Sequence, residues 1–241
     1  MRINLTEVIS RSEQGATHPF ICRCDDGYEY YVKGNHAGRK ALICEWMAGN
    51  IGRDLGLRIP EFKIIEISPD IITYGVREDI RDLSGMPAFG SRAIEFAQEL
   101  TFTDIAALNS VIKAQILLFD WWVANGDRIL SPDGGNPNLF ISFTKTPEIS
   151  SELWVIDHNL AFEEKTLDDF WEHHVFSNEQ RLWDKHFIGE MTPKMNEAQK
   201  ALQSYWNQVP DEWLEESGIT FENIKSILQR VENIREFWRI S

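Results

Sequence analysis

The chain has 241 residues, 43% of them hydrophobic and 12% aromatic, enough for the core of one large domain or two small lobes. A formal net charge of −14 excludes a broad nucleic-acid or anionic-membrane surface, because both require basic patches. The three cysteines, Cys22, Cys24 and Cys44, are too few and too odd in number for a disulfide framework. Cys22 and Cys24 would share one side of a strand, but no second pair completes a metal site, so all three read as buried thiols. The opening MRINLTEVIS lacks an apolar signal core, and no run reaches the length of a membrane span. A cytoplasmic protein without a membrane span is expected.

Along the chain, EVISRS and PFICRC read as strands around the polar turn EQGATH, and YEYYVK as a third strand after DDG. A helix is predicted over 38–55, where Ile43, Met47, Ile51 and Leu55 recur every fourth residue and Gly56 supplies a stop. FKIIEI and IITYGV read as two more strands separated by SPD, followed by a connector near 78–86. From about residue 91 the pattern is mostly helical, interrupted between 125 and 160 by loops and two short strands, NLFISF and LWVID. Beyond 165 it reads as Trp-rich amphipathic helices. The expected class is α+β and bilobal: a small β-rich N-lobe with one helix over 1–82, and a larger helical C-lobe over 83–241.

The candidate chemistry lies in an ordered set of polar residues. Lys33 ends the third strand, and Glu45 is a carboxylate within the otherwise apolar helical stretch ALICEWMAG. A buried acid needs a partner, since an unpaired buried charge is costly. A strand lysine paired with a helix glutamate is how kinases hold nucleotide phosphates. Upstream, Gly15, Ala16 and Thr17 form a small-residue turn whose backbone N–H groups could cradle phosphate. Asp127 follows the apolar helix SVIKAQILLFDWWVAN, Asn136 and Asn138 precede the strand LFISF, and Asp157 ends LWVID. A catalytic Asp, a pre-strand Asn and a post-strand Asp are the parts of a kinase catalytic and Mg²⁺ site, and Asp and Asn oxygens suit that hard cation. Taken singly, each piece is ordinary: a solvated lysine, a helix-end turn, an Asn-Pro-Asn turn. Their order is not. A metal-hydrolase reading with Asp127, Asp157 and His158 as ligands leaves Lys33 and Glu45 unexplained.

Three segments resemble the HipA-like kinases, a bacterial branch of the protein-kinase-like fold: YVKG, CEWMAGNIGRDLGLRIPEFKII, and NGDR…NPNLFI…LWVIDHNLAF. Type II phosphatidylinositol 4-kinases share a similar DR…N…IDN-x-LAF pattern. The resemblance implies an ATP- and Mg²⁺-dependent kinase with ATP between the lobes and adenine against the connector near 78–82. In that frame Lys33 orients ATP phosphates, Glu45 orients Lys33, and Asp127 is the catalytic base. Asp157 is the principal Mg²⁺ ligand, with Asn138 or Asn136 as the second. The acceptor would be a protein Ser/Thr hydroxyl, with a phosphoinositide or small molecule as the alternative, and an antitoxin-like partner is conceivable. The chain is shorter than full-length HipA toxins and leaves no room for their extra N-terminal subdomain. The other departure is the catalytic loop: ten residues separate Asp127 from Asn138 and eight separate it from Asn136, against about four in the usual pattern. Either SPDGG folds out and leaves the site in register, or the site is pulled apart and the protein is a pseudokinase that only binds nucleotide.

Overall fold

The structure is a computed structural model that describes residues 2–13, 17–83, 85–132, 134–143, 151–167 and 169–233. Gly15 and Ala16 of the expected phosphate turn lie outside these residues.

Five strands close a barrel in the order β1-β2-β3-β5-β4: β1 (Arg2–Arg11), β2 (Phe20–Cys24), β3 (Glu29–Lys33), β4 (Phe62–Glu66) and β5 (Ala88–Arg92). Alternating side chains fill its interior, among them Leu5, Phe20, Cys22, Tyr30, Val32 and Ile65. Burial pushes the Cys22 thiol up to about 12, as it does Cys24 and Cys44, so these are inert core groups.

Two expectations fail in this region. IITYGV is not a strand; the chain forms the helix α2 (Pro69–Tyr74), numbered after the longer α1 (Arg39–Asp54). The β-branched run is overridden by a strong start signal. Ser68 accepts the Asp70 N–H at 3.2 Å, and Pro69 occupies the first turn, where its missing N–H costs nothing. The barrel also continues past residue 82. The segment expected to be a connector is a 3₁₀ helix, Glu78–Leu83, that buries Ile80 and Leu83 among the barrel side chains, and β5 follows it. AFGSR is too short and too poor in apolar residues to announce a central strand. Its Gly90 is required by packing, because a Cβ there would collide with the Ile65 side chain.

Helix α1 lies against the barrel and joins the second core. Gly52 lets it approach α3 (Ser110–Trp122), since a Cβ there would press on Ile59 and sit 3.2 Å from the Phe119 ring. The N-terminus of α3 is capped by Asn109, whose Oδ1 accepts the Val111 N–H at 2.8 Å. After α3 come the hairpin strands β7 (Ile129–Ser131) and β8 (Gly134–Asn136). The strands β9 (Leu139–Phe143) and β10 (Ser151–Val155) form a sheet with β6 (Ala97–Glu99) in the order β10-β9-β6. Among the described residues that follow are the helices α4 (Phe170–His173), α5 (Lys185–Trp206), α6 (Asp211–Leu214) and α7 (Phe221–Leu228). Trp46 of α1 donates its indole N–H to the Tyr205 carbonyl at 3.0 Å, tying α1 to α5. Trp122, Trp183 and Trp213 are core residues. Among the described residues no helix is long and apolar enough to cross a membrane.

Candidate active site

Strand β3 ends at Lys33, which pairs with Phe89 of β5 and whose side chain reaches Glu45 of α1. Lys33 Nζ donates to Glu45 Oε1 at 2.6 Å and to Asp157 Oδ1 at 2.7 Å. The second Glu45 oxygen accepts the His158 N–H at 2.9 Å. One carboxylate of α1 therefore fixes both the strand lysine and the backbone after Asp157. Burial disfavours the Lys33 ammonium, yet Glu45 and Asp157 outweigh it and hold its pKa above the usual lysine value. Burial also works against the Asp157 carboxylate, but the Lys33 charge and hydrogen bond hold its pKa below the usual range. Glu45, only 3% exposed, is pushed upward by burial, which Lys33 offsets only in part. A charge kept at such a cost is better explained by position than by stability.

The extra residues of the expected catalytic loop fold out as a hairpin. Ile129 pairs with Asn136, Leu130 with Gly135 and Ser131 with Gly134. The chain thus returns to its starting point, and Asn138 Nδ2 lies 3.3 Å from Asp127 Oδ1. Arg128 secures the base of the hairpin. Its Nε and second terminal nitrogen donate to Asp120 at 2.6 and 3.1 Å, and its other terminal nitrogen donates to the carbonyls of Pro137 at 3.0 Å and Asn138 at 2.8 Å. The Asn138 carbonyl also accepts the Ile156 N–H at 3.1 Å, which brings the Asp157 strand end alongside. Asn138 and Asp157 both take left-handed backbone, φ 50° and 54°. Such geometry is uncommon outside glycine and clusters at functional sites. Burial, reinforced by nearby Asp157 and Asp120, raises the Asp127 carboxyl to about 6 against the opposing charge of Arg128.

Lys33, Glu45, Asn138, Asp157 and His158 line one end of a cleft of about 560 Å³. Ile59, Phe62, Phe89, Phe140 and Ile156 give it an apolar wall, Ser91, Arg92 and Glu99 another edge, and Thr17 part of the rim. The segment 78–82, expected beside adenine, is packed on the barrel, and residues between 89 and 99 border the cleft instead. Asn136 also borders the cleft, but it is exposed in the hairpin base, whereas Asn138 is buried and bonded to Asp127. The His158 ring is buried edge-on to Phe119, neither of its nitrogens has a hydrogen-bond partner among the described residues, and burial lowers its pKa to about 3. Among the described residues no three His, Cys, Asp or Glu side chains form a metal-binding group.

The HipA-like kinase family model matches residues 5–241. The chain belongs to the HipA-like kinase family. No curated protein matches it. Among solved structures it is similar to the Helicobacter pylori proinflammatory kinase CtkA, with a TM-score of 0.55 and 11% identity. The likeness covers 97% of this chain and 95% of that one, and at such identity it concerns the fold alone.

In this HipA-like kinase, sequence reasoning missed Asp120, Asn125 and His174. Asp120 carried the same signal that exposed Glu45, an acid inside an apolar helix, ILLFDWW. It is fully buried, and although burial opposes ionisation, Arg128 and His174 hold its carboxyl well below the usual carboxylate range. Asn125 donates to it at 2.9 Å. His174 lies 54 positions away in sequence, and no local pattern marks it.

Proposed function

We propose that this kinase transfers the γ-phosphate of ATP to a hydroxyl with the help of Mg²⁺, and that the acceptor is a protein serine or threonine. The observation that carries the reading is the return of Asn138 to Asp127 beside the Lys33–Asp157 pair. The residues suit the metal. Asn138 turns its amide nitrogen to Asp127, leaving the amide oxygen as a hard donor, and its backbone carbonyl is bonded to Ile156, the residue before Asp157. Two protein oxygens suffice for Mg²⁺, which keeps waters and takes substrate phosphate oxygens for the rest. When bound, Mg²⁺ neutralises phosphate charge.

The chain's own groups would do the remaining work. Lys33 would exchange part of its carboxylate bonding for nucleotide phosphate while Glu45 keeps it aimed. Thr17 and its neighbours would cover the phosphates, with Gly15 and Ala16 assigned the same task. Asp127, raised toward neutrality, would accept the proton of the attacking hydroxyl. Catalysis is then positioning plus electrostatic stabilisation. The barrel with α1 acts as an N-lobe ending after Arg92, and the rest as the C-lobe. The acidic composition disfavours docking on anionic lipid, which supports a protein acceptor.

The test is transfer of label from γ-labelled ATP. The protein is offered a Ser/Thr peptide library in one arm and phosphatidylinositol vesicles in the other. Label in peptide supports the reading. Label in lipid reassigns the acceptor, and nucleotide binding without transfer to either leaves a binding module.

A further inference from the structure

We propose that His174 is a positioning residue for the catalytic loop, through which the segment 169–176 sets the register of Asp127 and Asn138. The fully buried Asp120 carboxylate is the junction. It receives Arg128 at 2.6 and 3.1 Å, Asn125 at 2.9 Å and His174 Nε2 at 3.0 Å. The tautomer follows from the other ring nitrogen. Nδ1 accepts the Phe176 N–H at 3.1 Å, so the proton sits on Nε2 and is donated to Asp120. Both nitrogens of a ring with no solvent exposure are thereby used, one on the loop and one on its own turn.

The junction reaches the reacting end by short steps. Arg128 holds the carbonyls of Pro137 and Asn138, and a third, longer bond of 3.4 Å reaches the Ile156 carbonyl, one residue before Asp157. The segment also docks on the backbone beside Arg128. The Val175 N–H donates to the Arg128 carbonyl at 3.0 Å, and Ile129 forms a β-bridge with His174. Segment 169–176 therefore grips the loop residue between Asp127 and the hairpin from two sides. Within a hydrogen-bonded network of this kind, deletion of one member loosens the others. An ordinary core histidine would contribute packing alone; the use of both nitrogens and the two-sided grip on Arg128 make His174 specific to the loop.

The inference rests on the kinase reading only where turnover is measured. Two variants of the full chain separate the two bonds of the ring. In H174Q the amide N–H can still reach Asp120; in H174N the shorter amide can serve the Phe176 N–H but not Asp120. Amide hydrogen exchange and ATP turnover with water as acceptor are measured on both. H174Q is expected to match the wild type. H174N is expected to speed exchange over 125–138 by about tenfold or more, the scale of one lost hydrogen bond to a charged group. Its kcat falls similarly while KM for ATP and protection of β1–β5 stay unchanged. The proposal is overturned by unchanged exchange in H174N, by H174Q performing no better than H174N, by loss of protection spread evenly over the barrel, or by a change in KM alone. If the wild type shows no turnover with water, the kinase reading is judged by the peptide transfer above, and the exchange comparison still decides the role of His174.

Discussion

Asn138 donates to Asp127 at 3.3 Å across eleven positions of sequence. The bond is possible because the intervening residues close on themselves as a hairpin, so the contour length between the two residues no longer matters. Gly135 is critical to that closure. Its φ is 149°, and a Cβ would overlap the Ile129 carbonyl. The variant G135A is expected to lose about 1–3 kcal/mol of stability through this strained position. It should also lose transfer activity far beyond what that destabilisation explains. Chemical denaturation and turnover measured together check it.

The raised pKa of Asp127 predicts two opposite pH effects. For the proposed base, activity should climb as pH rises through about 6 and level off above it. Stability runs the other way. The folded pKa lies above the usual 3.8, so the stabilising contribution of Asp127 is complete below about 3.8 and is lost as pH rises through about 6. The amide variant D127N keeps an oxygen for Asn138 and has nothing to ionise. At pH 7.5 it should therefore be more stable than wild type by on the order of 1–2 kcal/mol, with solvent screening reducing the full effect, while being inactive. Below pH 4 the gap should close. Melts at the two pH values read this directly.

Lys33 neutralises two carboxylates that are both largely withdrawn from solvent. Its replacement by methionine leaves Glu45 and Asp157 facing each other without a cation. A loss of about 3–5 kcal/mol is expected near neutral pH, as for other broken buried pairs. The double variant K33M/E45Q should recover part of that stability without recovering nucleotide binding. Equal stability of the single and double variants would contradict the pairing.

Arg128 predicts a substitution that is conservative only by charge. Its planar fork meets Asp120 twice and two backbone carbonyls at 3.0 Å or less. A lysine has one point of attachment and cannot span these acceptors. R128K should cost about 2–4 kcal/mol and disturb exchange at Asn138 and Ile156, since buried acceptors lose their donors.

Much of this was legible because chemistry and periodicity coincided. Glu45 stood out as an acid in an apolar helix, Lys33 as a strand end, and Asp157 as the close of an apolar run; all three meet in one ion-pair group. Helix α1 matched its predicted span to within a residue at each end because its apolar spacing and following Gly56 are local signals. What escaped was long-range. The strand β5 is held by partners 23 or more positions away and carries little apolar signal of its own. The segment after Ile67 followed its Ser-Pro-Asp cap rather than its β-branched residues. The different surroundings of Asn136 and Asn138 come from the hairpin register, which pairs Asn136 with Ile129 and lets Asn138 meet Asp127. His174 acquires meaning only through Asp120, and that contact is tertiary.

The central claim is that Lys33, Asn138 and Asp157 form a site for Mg²⁺-bound nucleotide. Titration of ATP by calorimetry, with and without Mg²⁺, on the wild type and on D157A tests it most directly. The account predicts saturable binding to the wild type that weakens at least about tenfold without Mg²⁺, as expected for loss of a phosphate-bridging cation. D157A should bind weakly and show no Mg²⁺ dependence. Equal, Mg²⁺-dependent binding to both proteins, or binding to neither, would contradict the account.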